Sequence, residues 1–200
     1  MRELVYYVAV SLDGYIAGPA GEFDAFVVEG DHMDRQNERF ADAIPTDIAG
    51  ALGIPQHDGM FDTVLMGWNT YEVGGLASPY RHLRQFVFSR SRTEPVGAGE
   101  PVNLTITDED PLELVRRLKR EPGAAIWLCG GGELAAQLAP EIDRLVLKRQ
   151  PVLFGSGIPL FGPSAYAPNR LDEVETTAFD SGVVISEYAR RTAEAGAAAA

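Results

Sequence analysis

The sequence has one cysteine, three histidines and no long apolar run, and each scarcity excludes a class of protein. Its single cysteine, Cys129, cannot form an internal disulfide, which favours a reducing, cytoplasmic location. No stretch approaches the roughly 20 apolar residues of a membrane span, and a strand pattern that begins at residue 3 leaves no room for a signal peptide. The histidines are scattered without a second ligand at metal spacing, so we expect no metal site.

Positive charge is also scarce. The chain has 17 lysines and arginines against 29 aspartates and glutamates, which gives a formal net charge of -12, and it has no basic stripe. A nucleic-acid partner is therefore not expected, whereas a small phosphorylated ligand held by local contacts is compatible with the sequence. The G-x-S-x-G, P-loop and zinc-deaminase patterns are absent as well.

Length and patterning indicate one domain. The 200 residues are 46% hydrophobic and predict a single domain over residues 1–191, followed by a disordered alanine-rich tail over residues 192–200. Alternating strand and helix patterns predict an α/β fold, a three-layer, mostly parallel mixed sheet with helices on both faces and a C-terminal antiparallel hairpin. The predicted strands cover residues 3–10, 62–66, 84–89, 102–107, 125–129 and 144–153, with a hairpin of 171–179 and 183–189. The predicted helices cover residues 31–43, 46–52, 108–120 and 133–138, and a further helix begins near residue 67.

A run of three glycines is the most informative stretch of the chain. Residues 125–129 form an apolar run long enough for one buried strand, Gly130, Gly131 and Gly132 follow, and a helical pattern begins at Glu133. Glycine lets the backbone turn sharply and approach another body closely, and the first turn of a helix offers free N–H groups. The combination favours a bound phosphate; a tight strand-to-helix turn without a ligand is the alternative.

The same stretch also fits the dinucleotide pattern G-x-G-x-x-A through Gly130, Gly132 and Ala135. A Rossmann unit would carry an acidic residue at the end of the next strand to bind the ribose hydroxyls. The next predicted strand carries Lys148 and Arg149 and ends without an acid. We therefore predict a dinucleotide phosphate site of another architecture.

Four motifs in order carry a family resemblance. They are SLDGYIA at residues 11–17, LMGWNTYE at 65–72, GGGEL at 130–134 and PVLFGSGIPLF at 151–161. Together they resemble the dihydrofolate reductase-like fold. They resemble most closely the reductase domain found at the C-terminus of the bifunctional deaminase-reductase of riboflavin biosynthesis and in many stand-alone bacterial proteins. The resemblance extends from residue 3 to residue 189.

The resemblance implies NADPH as the cofactor and assigns residues to it. It implies a cis peptide between Gly130 and Gly131, and a second cofactor-facing helix that begins after the 65–67 strand end. The pyrophosphate would contact Gly131, Gly132, Glu133 and Leu134, and the second helix would present Gly67, Trp68, Asn69 and Thr70. The 2′-phosphate would contact Ser89, Arg90 and Ser91, and Ala9 and Ile16 would flank the nicotinamide. The family often has a basic residue after the first of these helix glycines, where this chain has Trp68 and Asn69; Arg90 and Arg92 could compensate. Trp68 itself could stack on the adenine or cap the core.

The resemblance also directs attention to carboxylates, because the nicotinamide supplies the hydride and the protein must supply a proton. The candidate catalytic residues are Asp13 and Asp24. Asp13 follows the first strand and is expected either to form a turn with Gly14 or to contact the substrate or the loop that covers it. Folate reductases carry their pteridine-binding carboxylate near the long 26–59 segment, for which Asp24, Glu29 and Asp31 are all candidates.

The sequence thus predicts an NADPH-dependent reductase that acts on a small planar heterocycle, pterin- or pyrimidine-like, in a cytoplasmic homodimer. A nucleotide-binding protein that keeps the pocket without turnover is one alternative. A true dihydrofolate reductase is another, and a Rossmann dehydrogenase is disfavoured.

Overall fold

The computed structural model describes residues 1–56 and 59–191. The alanine-rich tail at 192–200, for which the sequence predicts disorder, lies outside these residues. The strands are β1 Leu4–Val10, β2 Tyr15–Ala17, β3 Phe61–Gly67, β4 Arg84–Phe88, β5 Leu104–Thr107, β6 Ala125–Gly130, β7 Arg144–Arg149, β8 Ile158–Pro159, β9 Leu171–Ala178 and β10 Val184–Arg190. The α-helices are α1 His32–Arg39, α2 Thr46–Leu52, α3 Trp68–Val73, α4 Pro111–Arg120 and α5 Gly132–Leu138, with 3₁₀ turns at Ala41–Ala43 and Ala139–Glu141.

The main sheet has eight strands in the order β5-β4-β3-β6-β1-β7-β10-β9. The strands from β5 to β7 are all parallel, whereas β10 is antiparallel to β7 and forms the predicted hairpin with β9. The central strand β1 contacts β6 and β7, with Tyr6 in register with Leu128 on one side and Leu145 on the other. Because six strands run the same way, their carboxyl ends meet at one edge, which is called the carboxyl edge below.

Helices cover both faces of the sheet and bury a core on each. One core contains Leu114 and Leu118 of α4 and Leu134 of α5, packed against Tyr6 and its neighbours. The other core contains aromatic side chains from the helices of the opposite face and from β1 and β6, namely Phe40, Trp68, Tyr71, Tyr7 and Trp127. This arrangement explains why β1 reads as a near-continuous apolar run rather than an alternating one. The predicted three-layer fold is confirmed.

Helix α4 shows how the local sequence sets an element's start. Asp110 is the N-cap, since its carboxylate accepts hydrogen bonds from the backbone N–H groups of Leu112 at 2.9 Å and Glu113 at 3.1 Å. Pro111 occupies the first turn, where its missing N–H has no cost.

Several predicted boundaries differ from the observed ones, and two short strands were missed. β7 ends at Arg149 rather than at residue 153, because Pro151 has no N–H with which to continue a ladder. The segments around Ile16 and Pro159, which lie outside the predicted strands, pair as β2 and β8 in a separate two-stranded sheet. Strands of three and two residues are too short to show an alternating pattern in sequence.

Candidate functional site

The carboxyl edge brings the sequence-predicted cofactor residues into one row. Ser89 follows β4, Gly67 ends β3, Gly130 ends β6 and Ala9 lies near the end of β1. These four strands are consecutive neighbours in the sheet. With about 4.8 Å between adjacent strands, the row spans about 14 Å. Such a length suits an extended ligand that contacts several strand ends at once.

Two glycine turns meet in the middle of this row. A β-carbon placed on Gly131 would lie 3.7 Å from Thr70 Oγ1 and 3.9 Å from the Cα of Gly67, so the starts of α3 and α5 converge. Gly67 itself has open space where a side chain would be. Gly131 has a φ of +96°, a conformation that only glycine adopts without strain. The two turns therefore leave partly accessible backbone without side chains between them.

The Gly130–Gly131 peptide is trans, because the described residues contain no cis peptide bond. The cis bond that the resemblance implied is therefore wrong for this structure. The positive φ of Gly131 produces the sharp strand-to-helix turn instead.

Gly132 differs from its neighbours because it is buried against a loop. A β-carbon on Gly132 would collide with the carbonyl oxygen of Pro159, and the Gly162 N–H donates to the Gly132 carbonyl at 2.8 Å. Strand β1 also holds this loop, because the Tyr6 hydroxyl donates to the Leu160 carbonyl at 2.9 Å. Close packing of the loop against α5 therefore accounts for the lack of a side chain at Gly132. Glu133 is exposed beside it, and Leu134 lies in the core.

Asp13 fastens this loop, residues 154–162 and called the covering loop below, to the end of β1. Its carboxylate accepts hydrogen bonds from the Ser11 hydroxyl, from the Gly155 N–H at 2.7 Å and from the Phe154 N–H at 3.1 Å. These bonds, the Ser11 bond first, lower the pKa of Asp13 to about 2. Asp13 is consequently a carboxylate anion at neutral pH and a poor proton donor. Its contact is with the covering loop, one of the roles that the sequence left open.

The other candidate carboxylates do not gather at one point. Asp31 accepts the backbone N–H groups of Asp180 at 2.8 Å and Ser181 at 3.1 Å, so it ties the start of α1 to the C-terminal hairpin. These backbone bonds lower its pKa, that to Asp180 most. Asp24 and Glu29 are exposed. Asp24 lies two residues before Phe26, and Phe26 stacks on Phe154 with ring centres 5.0 Å apart, so the Asp24 segment lies against the covering loop.

The predicted 2′-phosphate residues follow β4 directly. The Ser89 hydroxyl accepts the Arg92 N–H at 2.8 Å, and the Arg92 guanidinium pairs with Glu72 at 2.8 Å. Arg90 and Ser91 are exposed, and no ion pair of Arg90 occurs in the part of the chain that the structure describes. Arg90 is therefore the available cation of this group.

Trp68 lies beneath these residues. Its side chain is 9% exposed, its indole N–H donates to Glu72 at 3.1 Å, and the Arg92 guanidinium stands 4.8 Å above its ring. Trp68 thus lies in the core, with Arg92 over one face of its ring. Asn69 and Thr70 follow it on α3, with Thr70 turned towards Gly130 and Gly131.

Sequence reasoning missed a cluster on the face covered by α1. The Lys148 ammonium donates to Gln36 Oε1 at 2.9 Å and lies 4.8 Å from the centre of the Tyr7 ring. Burial lowers the pKa of Lys148 to about 8 and raises that of the neighbouring Cys129 thiol to about 12, so the thiol stays protonated at neutral pH. The available signal was Lys148 itself, two residues after the buried Val146 on the same face of an apolar strand. From the sequence alone, Lys148 argued only against a Rossmann unit.

Among residues 1–56 and 59–191, no three metal-ligating side chains come together. No helix within these limits is long and apolar enough to cross a membrane.

The strand order, the two helical layers and the glycine-lined carboxyl edge define a dihydrofolate reductase-like α/β protein. The family follows from the sequence: residues 2–185 match the model of the RibD C-terminal domain, and the chain belongs to that family.

Similar proteins agree on the fold. The uncharacterised protein YwjB of Bacillus subtilis strain 168 is 33% identical over 168 residues, which cover 80% of this chain and 83% of YwjB. A crystal structure described as a candidate riboflavin biosynthesis protein of Shewanella sp. PV-4 aligns with a TM-score of 0.68 at 22% identity, over 96% of this chain and 100% of that one. Dihydrofolate reductase from Enterococcus faecalis, in complex with NADP(H), aligns with a TM-score of 0.59 at 16% identity, over 95% and 97% of the two chains.

The bonds to Asp13 predict a pH-dependent stability. A carboxyl whose folded-state pKa is about 2 contributes stability above its unfolded pKa of about 4, and loses it as the pH falls towards 2. We expect Asp13→Asn to lower the urea midpoint at about pH 6, and the difference from wild type to shrink below about pH 4. Circular dichroism measures both midpoints. Asp24→Asn, a change at an exposed carboxylate, is the matched control; a difference at Asp13 that does not vary with pH would contradict the assignment.

Proposed function

We propose that the protein is an NADPH-dependent oxidoreductase that transfers a hydride to a small planar heterocycle of pterin- or pyrimidine-like type. The observation that carries the proposal is the pair of glycine turns at Gly67 and Gly131, which leave partly accessible backbone midway along the carboxyl edge. Membership of the RibD C-terminal domain family supports it, as does the likeness to a dihydrofolate reductase that is complexed with NADP(H).

NADPH would lie along the row of strand ends, with its adenosine end at β4 and its nicotinamide end at β1. The pyrophosphate would meet the backbone of residues 131–134 and the turn of residues 67–70, where no β-carbon stands in the way at Gly67. The adenosine end would extend towards β4, where Ser89, Arg90 and Ser91 lie, and the nicotinamide towards Ala9 and Ile16. When bound, NADPH supplies the hydride; the chain's own residues bind, orient and exclude water.

The covering loop would keep water from the reacting atoms. Asp13 holds it at residues 154–155, β8 pairs it with β2, and Phe26 stacks on Phe154. Asp13 stays ionised, so its part is to hold this loop. Asp24, in the segment that reaches the loop, is retained as a candidate that orders a proton-donating water.

Gly131→Ala tests the function. A β-carbon there would make only ordinary contacts but would force a strained φ and occupy the space left for phosphate, so we expect NADPH affinity to fall at least tenfold. Affinity is measured by fluorescence titration, turnover by the loss of NADPH absorbance with pterins and pyrimidines, and folding by thermal melting.

Gly50→Ala, in α2 with open space at its Cα, is the control and should bind NADPH like wild type. Unchanged NADPH affinity in folded Gly131→Ala would mean that Gly131 only makes the turn and does not contact the cofactor. Wild type that binds NADPH and oxidises it with none of the compounds would favour the alternative, a nucleotide-binding protein without turnover.

A second prediction concerns NADPH over NADH. The cofactors differ by one phosphate, and a charge-assisted contact to it contributes about 1.5–3 kcal/mol, roughly tenfold to over a hundredfold in affinity. We expect wild type to bind NADPH more tightly, and Arg90→Ala to lose most of that preference. Calorimetry with both cofactors measures it.

The control is Arg120→Ala, which removes the same charge from the exposed last turn of α4, near the start of β6 and away from the carboxyl edge. Equal wild-type affinities for the two cofactors would refute the preference. A preference that persists in Arg90→Ala would remove Arg90 from the site.

We also propose a cytoplasmic homodimer. β9 is the terminal strand of the sheet and carries the exposed apolar side chain of Val174, so a second copy could cover this edge. Light scattering at micromolar concentration should give twice the chain mass of 21.6 kDa. A single species of 21.6 kDa would contradict the dimer.

A further inference from the structure

One ammonium group lies in mainly apolar surroundings close to the carboxyl edge. Lys148 stands against the ring of Tyr7 and donates to the neutral amide of Gln36. Within the described residues no carboxylate lies in ion-pair distance of Lys148. The other lysine, Lys119, shows the usual arrangement, since its ammonium pairs with Asp143 at 2.7 Å. An unpaired and partly buried ammonium is costly, which calls for a functional reason.

The position of Lys148 places it beside the expected reaction site. Lys148 is in parallel register with Ala9, so the two side chains lie on the same face of neighbouring strands. Ala9 is the residue expected to flank the nicotinamide. Tyr7 and Cys129 are on the same face of the sheet, and α1 and the Tyr80 segment lie over this part of it.

The carboxylates expected near this position are turned elsewhere. Asp13 is bonded to the covering loop and Asp31 to the hairpin turn. On α1, Asp34 and Glu38 are exposed, whereas Gln36 faces the sheet and reaches Lys148. A ring that presents N–H groups would need an acceptor here, but the charged group is a donor. The Lys148 ammonium therefore suits a ligand that presents an oxygen atom as a hydrogen-bond acceptor.

We propose that Lys148 binds the substrate through a carbonyl oxygen and donates the proton that completes its reduction. This proposal rests on the reductase function proposed above and narrows its substrate to planar rings that carry a reducible carbonyl group. The hydride of NADPH adds to the carbonyl carbon, and the electrons of the C=O π bond pass to the oxygen. Lys148 Nζ gives that oxygen a proton, so the products are an alcohol and NADP⁺, and solvent reprotonates the amine.

The surroundings of Lys148 keep its titration distinct. Burial lowers its pKa to about 8, so it is protonated at neutral pH and releases its proton more readily than an ordinary lysine. Burial raises the pKa values of the groups that face it, which are the Tyr7 and Tyr80 hydroxyls and the Cys129 thiol. The charged groups of the adjoining α1 and β10, Arg39 and Glu187, pair with each other. Loss of activity above about pH 8 would therefore report Lys148.

Two substitutions separate charge from proton transfer. Lys148→Met removes both, and Lys148→Arg keeps the charge on a group that does not release its proton. With isatin, a planar heterocycle with a ring carbonyl, as the probe, we expect kcat to fall about a hundredfold or more in both variants. KM should rise in Lys148→Met only, and the decline of wild-type activity above about pH 8 should vanish in Lys148→Arg. NADPH affinity should stay at the wild-type value in both.

The control is Arg149→Met, a loss of the same charge at the next residue of β7, whose side chain lies on the opposite face near Ser186. It should keep wild-type turnover. Melting temperatures check folding, and if Lys148→Met fails to fold, Lys148→Arg decides.

Turnover within threefold of wild type in either folded Lys148 variant overturns the role of Lys148. Wild type that binds NADPH but does not oxidise it with isatin overturns the carbonyl assignment and leaves the reductase proposal standing. Wild type that does not bind NADPH overturns the reductase proposal, and this inference with it.

Discussion

The close approach of Gly132 to Pro159 is the contact on which the rest of the carboxyl edge depends. Any side chain at Gly132 would push away the loop that carries β8, because the obstacle is backbone rather than a movable side chain. That loop pairs with β2 and accepts the Tyr6 hydroxyl at Leu160. One missing β-carbon therefore fixes the distance between the start of α5 and the loop that covers β1. The three consecutive glycines consequently serve different ends, with Gly131 making the turn and Gly132 allowing the contact.

An anionic ligand at the carboxyl edge would meet backbone more than charge. The chain carries a net charge of -12, and the basic side chains near the proposed cofactor row are largely engaged, as Arg92 is by Glu72. Arg90 at one end and Lys148 at the other each lack a carboxylate partner in the described part of the chain. Two isolated positive charges in an acidic protein act locally, since salt screens longer-range attraction. In the proposed reaction, Arg90 would select for the phosphate of the cofactor at one end of the site, and Lys148 for the oxygen of the substrate at the other.

Much of the fold could be predicted from sequence because its parallel strands and amphipathic helices are long enough to show a period, as α4 does with Leu114 and Leu118. The small β2–β8 sheet could not, because register over two or three residues leaves no pattern. The residues of the candidate site also differ in whether the sequence reveals them. Glycines mark the edge in the sequence, whereas the loop contact of Asp13 depends on residues 141 and 142 positions away. Lys148 carries no local signal of its environment, since its aromatic neighbour comes from the first strand and its amide partner from α1.

The central position of β1 has a consequence for how the chain reaches this structure. Leu4 pairs with Ile126, and Val5 with Arg144, so β1 borders two strands whose partner residues lie 122 and 139 positions later in the chain. Contacts so distant in sequence close large loops and form slowly. Until β6 and β7 have been synthesised, the apolar strand β1 has neither edge paired and can associate with other chains. The row of strand ends is incomplete until β6 is present, because β6 lies between β3 and β1 in the sheet.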